Sequence, residues 1–144
     1  MAGQESDDMN AWIVLVLLIP LGLAGCTGGN SPERVAEQFM QSYYVQIDQM
    51  QALEFTAALA REKLQQELQL VSQARRGGSV AQARPGIEYT HTRTQPEGRQ
   101  VFLVYTLTIK PAQVPPMLKQ VLITTEQLGE QWKVINFSEM DVVR

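Results

Sequence analysis

Residues 101–109 read VFLVYTLTI, and residues 87–94, just upstream, read IEYTHTRT. The first stretch is dense in β-branched and aromatic side chains, and the second alternates apolar with polar residues, the period-two pattern of a strand. Pro96-Glu97-Gly98 supplies a turn between them, and strands joined this closely run antiparallel. Further on, Lys110-Pro111 ends the second strand and Pro115-Pro116 keeps the next connection irregular. Residues 118–126 then predict a third strand, Leu128-Gly129-Glu130 a tight turn, and residues 131–138 a fourth. A four-stranded antiparallel meander follows. Phe102, Val104, Val121, Ile123, Trp132 and Val134 are its candidates for pairing and packing.

Upstream of this region the period changes to that of a helix. Ser31 is a favoured N-cap, Pro32 a favoured first residue, and Glu33 complements the helix dipole. Val35, Ala36, Phe39, Met40 and Tyr43 then recur at the spacing of one buried stripe, so a first helix runs to about Val45. Asp48 is placed to cap a short second helix carrying Ala52, Leu53 and Phe55, with residues 57–59 as its extension. In the segment REKLQQELQLVSQARRGG, residues 61–78, Leu64, Leu68 and Val71 line one face of a third helix. Arg75-Arg76 suit its C-terminal dipole and Gly77-Gly78 stop it. Three helices followed by hairpin-linked strands predict an α+β domain over residues 32–141, with the helices covering one sheet face.

Apolar residues make up 44% of the 144 and charged ones 19%, without low-complexity repeats, which excludes a disordered or collagen-like chain. The net charge of −3 resides in Glu5, Asp7 and Asp8. Beyond them, twelve acidic residues face twelve basic ones, all of the latter at or after Arg34. A neutral domain gives no electrostatic reason to expect a nucleic-acid partner.

Residues 11–25 read AWIVLVLLIPLGLAG, an uncharged run shorter than the roughly 20 residues of a bilayer span. It closes on Leu23-Ala24-Gly25-Cys26, which resembles the lipobox of bacterial lipoproteins: an aliphatic residue, two small ones, then the cysteine. The resemblance implies a signal peptide over residues 1–25, cleavage between Gly25 and Cys26, lipidation of Cys26, and a tether over residues 26–31. Several acyl chains on that residue would anchor firmly where one would not. Thr27, in place of Asp, is similar to lipoproteins sent to an outer membrane. Two other readings stay open: Cys26 as an unmodified thiol, and residues 9–32 as an uncleaved span. The acidic start MAGQESDDMN bears on the second, because a signal peptide begins with Lys or Arg, and an acidic front with Arg34 behind hints at the opposite orientation. Initiation at Met9 would remove the acids without supplying a base.

The run SPERVAEQFMQSYY, then Asp48 and a short Ala-containing helix, then AREKLQQELQLV, then a meander ending GEQWKVINFSEM, resembles small lipoproteins of the nuclear transport factor 2-like, or cystatin-like, α+β superfamily. The resemblance covers most of residues 31–141. It implies a cone in which a curved sheet wraps against the helices and leaves a pocket at the open end. Some members, such as ketosteroid isomerase and the SnoaL-like cyclases, place an acid or base in that pocket, whereas others bind proteins or ligands. Fold alone does not choose between these.

His91, the one histidine, stands in an alternating strand among Thr90, Thr92 and Arg93, either as a pocket base or on a solvated sheet face; its polar neighbours favour the second. Asp48 with Tyr43 and Tyr44 would be the other pocket constellation, an Asp base with a Tyr donor. The structural alternative has Tyr43 packed, Tyr44 at the rim and Asp48 capping a helix. One histidine and one cysteine do not make a zinc ligand set, and no phosphate loop, nucleophile elbow or paired-Cys motif is present, so neither metal nor cofactor is expected. Arg61, Lys63, Arg75, Arg76 and Arg84 are interspersed with Glu62 and Glu67, as on a solvated helix face. Tyr89, Phe102, Tyr105, Trp132 and Phe137 either fill the core or line a small apolar pocket. The expectation is a membrane-anchored, extracytoplasmic lipoprotein whose domain is a non-enzymatic binding or accessory module. Its partners are the membrane, through Cys26, and a protein or small apolar ligand at the sheet; a small pocket enzyme is the alternative.

Overall fold

Ser31 opens the first helix as its sequence implies: its hydroxyl accepts the Arg34 N–H at 3.2 Å, and Pro32 occupies the first turn. The computed structural model describes residues 29–76 and 84–142. Residues 1–28, which hold the signal segment, Gly25 and Cys26, lie outside them, as do Gly77-Gly78. Among the described residues no helix is long and apolar enough to cross a membrane.

Helix α1, Pro32–Met40, buries Val35, Ala36, Phe39 and Met40. It then widens into a π-helical turn, Gln41–Val45, in which the Gln46 N–H reaches five residues back to the Gln41 carbonyl at 2.9 Å. This turn corrects the expected placing of the tyrosines. A wider turn advances the inward direction by one residue, so Ser42 and Tyr44 are buried, and Tyr43 is half-buried with its ring stacked on Phe39 at 5.3 Å. The turn closes with the Asp48 N–H on the Ser42 carbonyl at 2.9 Å, which forces Ile47 to φ 56°, a left-handed conformation that is costly for a β-branched residue.

Asp48 caps α2, Gln49–Leu53, through the Gln51 N–H at 2.9 Å. Residues 55–57 leave the helical path to pair with the sheet: Val134 donates to the Phe55 carbonyl and accepts from the Ala57 N–H, both at 2.9 Å. That pairing separates Ala58 and Leu59 from α2. They begin α3, Ala58–Arg76, three residues ahead of the expected start.

The sheet is a meander in the order β1-β2-β3-β4: Gly86–Glu97, Gln100–Lys110, Met117–Leu128 and Gln131–Asp141. All pairs are antiparallel. The two tight turns are Gly98-Arg99 and Gly129-Glu130, each with glycine first, at φ 60° and 65°. A positive φ at that position alone matches the twist of the flanking strands. The first turn therefore lies beyond the expected Pro96-Glu97-Gly98, and Pro96 stays paired opposite Val101. Proline is tolerated there because β1 is an edge strand.

Alternation sorts the sheet into two faces. Val101, Leu103, Tyr105 and Leu107 of β2 are buried together with Val121, Ile123, Val134 and Phe137. Against them pack α1, on β2, β3 and β4, and α3, on β4 through Ala60 and Leu64. Fully burying each large apolar side chain is worth about 1.5–3 kcal/mol. The six candidate packing residues divide between the faces: Val121, Ile123 and Val134 point into the core, and Phe102 and Val104 occupy the alternate, half-exposed positions of β2, with Trp132 partly buried at the start of β4. Of the expected α3 stripe, Leu64 is fully buried, and Leu68 and Val71 are half-buried.

Candidate functional site

Two regions carry more polar or apolar organisation than the fold requires. One is the end of the domain where α1 stops and β4 finishes. Extension of β4 to Asp141, past the expected end at Ser138, puts Glu139 on the core side opposite Val121. There Glu139 accepts the Tyr44 hydroxyl at 3.0 Å and the Lys119 ammonium at 3.0 Å; Lys119 also lies 3.7 Å from Asp141. Beside it the Tyr43 hydroxyl donates to both oxygens of Glu67 at 2.9 Å, and the Tyr43 ring meets Tyr44 edge-on at 4.7 Å and Phe137 at 5.2 Å. Lys63, one turn before Glu67 on α3, donates at 2.8 Å to the Asn136 side chain and the Phe137 carbonyl.

Burial raises the pKa of Tyr43, and its bond to Glu67 raises it further. Burial does the same to Tyr44, followed by the charge of Glu139 and the bond to it. Each hydroxyl thus keeps its proton and donates a hydrogen bond to a carboxylate within the fold. The pair ties the π-helical turn that follows α1 to α3 and to β4.

The residues singled out from sequence are not brought together. Asp48 is exposed and spends a carboxylate oxygen on its cap; it lines an open groove of about 430 Å³ with Ile47, Met50, Leu68, Val71 and Arg84, in whose wall neither Tyr43 nor His91 takes part. His91 is exposed on β1, its ring 5.1 Å from that of Tyr105. Its Nε2 lies 2.9 Å from the Arg93 carbonyl, which can only accept, so that nitrogen is the donor, and Thr94 Oγ1 lies 2.9 Å away as well. A bulge at Thr92 sets this geometry. The Thr92 hydroxyl compensates by donating to the Val104 carbonyl at 3.0 Å. Among the described residues no group of three or more His, Cys, Asp or Glu side chains is arranged to hold a metal ion.

Sequence reasoning placed Glu67 on a solvated helix face, where the structure half-buries it against Tyr43, and singled out neither Lys119 nor Glu139. A partner 24 or 95 residues away leaves no local signal. The one usable hint was the continued alternation of β4 beyond Ser138.

The second region is the outer sheet face. Phe102, Val104 and Leu122 are half-buried there and Met140 is 52% exposed. Two adjoining concavities of about 210 Å³ each share Arg93, Val104 and Leu122 as walls. The Thr92 bulge turns Arg93 onto this face opposite Val104. The apolar stripe is edged by both a cation, Arg93, and an anion, Glu97. Searches against protein-family models, curated proteins and solved structures found no match to the chain.

Proposed function

We propose that this protein is a membrane-anchored extracytoplasmic lipoprotein whose α+β domain is a non-enzymatic binding or accessory module. The observation that carries the reading is Leu23-Ala24-Gly25-Cys26 at the end of an apolar run, five residues before the Ser31 cap at which the folded domain begins. Helices ahead of an antiparallel four-stranded sheet in chain order are also consistent with the nuclear transport factor 2-like superfamily and its cone. The contact surface in this reading is the outer sheet face around Val104 and Leu122, and its partner is a protein. The separation of Asp48, His91 and the tyrosine hydroxyls supports binding over acid–base chemistry.

Intact mass of the protein from the membrane fraction, for wild type and Cys26→Ser, tests the anchor. A wild-type species beginning at Cys26 with added acyl mass, absent from the variant, is expected. Full-length unmodified protein in both would overturn the reading and make residues 9–32 the anchor. For the contact face, a photo-crosslinker at Leu122 is expected to capture a protein that the same group at Glu62 does not.

A further inference from the structure

The side chain of Asn30 accepts the backbone N–H of Trp132, which fastens the chain to the start of β4 just before α1 begins. Cys26 lies four residues ahead of Asn30. Even fully extended, four residues span about 14 Å. The domain is far longer: seven residues of β4 separate Trp132 from Glu139, or about 24 Å, and eleven of β3 separate Leu128 from Met117, or about 37 Å. An acyl chain on Cys26 therefore holds the hairpin end within about 14 Å of the bilayer, whereas the far end of the sheet can stand about 37 Å from it.

That end has the chemistry of an interfacial surface. Trp132 forms one wall of an open concavity of about 580 Å³ with Gly98, Arg99, Gln127 and Gly129. The Arg99 side chain is 80% exposed and lies 3.8 Å from its neighbour Glu126. Leu128, at the tip of the second hairpin, is 41% exposed. An indole with an apolar body and an N–H, an exposed guanidinium and an exposed leucine are the residues that settle among headgroups. Glu97, Glu126 and Glu130 offset Arg99 and Lys133, so net charge does not draw this end to a membrane; the short tether does.

We propose that the hairpin end, formed by the Gly98-Arg99 and Gly129-Glu130 turns with Leu128 and Trp132, lies against lipid headgroups, and that the Tyr44–Glu139 end points away. This rests on the lipoprotein reading above. It also leaves the outer sheet face upright and open from the side.

The test uses the mature protein from the membrane fraction, first weighed and then reconstituted in vesicles of phosphatidylethanolamine and phosphatidylglycerol with or without a nitroxide-headgroup lipid. Trp12 leaves with the signal peptide, so Trp132 is the sole remaining tryptophan. Its emission is expected to fall about twofold or more with the nitroxide, as for an interfacial indole. A variant carrying Trp132→Phe and Met117→Trp, or Trp132→Phe and Val114→Trp should the first not fold, is expected to lose little. Equal loss in both proteins, or greater loss at the far end, with acylated Cys26 present, overturns the orientation alone. A chain that is not acylated takes both readings down together.

Discussion

The Tyr44 hydroxyl meets the Glu139 carboxylate at 3.0 Å across 95 residues of sequence, joining the π-helical end of the first helix to the last strand. Removing the donor with Tyr44→Phe leaves Glu139 with Lys119 alone. A hydrogen bond to a charged group contributes about 1.5–3 kcal/mol, and the remaining ion pair places the expected loss near the lower bound, about 1.5 kcal/mol. Urea denaturation of the purified domain checks this; an unchanged midpoint would refute it.

The chain has four tyrosines, Tyr43, Tyr44, Tyr89 and Tyr105, and folding raises the pKa of all four, in each case first by burial. Tyr89 adds a 2.5 Å bond to Glu37, whose charge also bears on Tyr105. The unfolded chain releases these protons near pH 10 while the native state retains them. Their contribution to stability is therefore complete below pH 10 and is lost as the pH rises beyond it. Absorbance at the tyrosinate band is expected to stay flat through the ordinary range and then to appear together with loss of the far-ultraviolet circular dichroism signal. Tyrosines titrating near pH 10 with the fold intact would contradict it.

Ile47 sits at φ 56° and is 39% exposed, so it carries backbone strain with only part of its side chain buried. Left-handed geometry costs a non-glycine residue about 1–2 kcal/mol, part of which glycine returns through its freer unfolded state. Ile47→Gly is expected to stabilise the domain by about 0.5–1 kcal/mol, read as a melting temperature higher by a few degrees.

Asp48→Ala removes the cap on Gln51 and is expected to cost about 1 kcal/mol, whereas Asp48→Asn keeps an acceptor and costs a few tenths. Thermal unfolding of the two variants side by side separates capping from a requirement for the charge. Equal losses would mean that the carboxylate does something other than cap.

At Gly129 an added Cβ meets nothing within 4 Å, so the only penalty for Gly129→Ala is the φ of 65°. That penalty is about 1 kcal/mol. A loss well above this in chemical denaturation would show that the turn has packing duties.

The sequence by itself determined what is local: the cap at Ser31, the cap at Asp48, the order of helices before strands, and four strands set by period-two alternation and glycine turns. These follow from bonds within a few residues of one another, so a short window contains their cause. Alternation also gave two sheet faces without saying which was inner, because both faces of β2 carry apolar residues. Only the tertiary structure decided that. The helices bury the Leu103 side and leave Val104 on the other, and the π-helical turn, held by packing, exchanges the expected places of Tyr43 and Tyr44. Likewise, the pairing of residues 55–57 with Val134 cut the second helix short, and the carboxylates that receive the tyrosine hydroxyls were chosen by the closing of α3 and β4 over α1. Partners so distant in the chain are fixed by the packing of whole elements, and no local pattern encodes them.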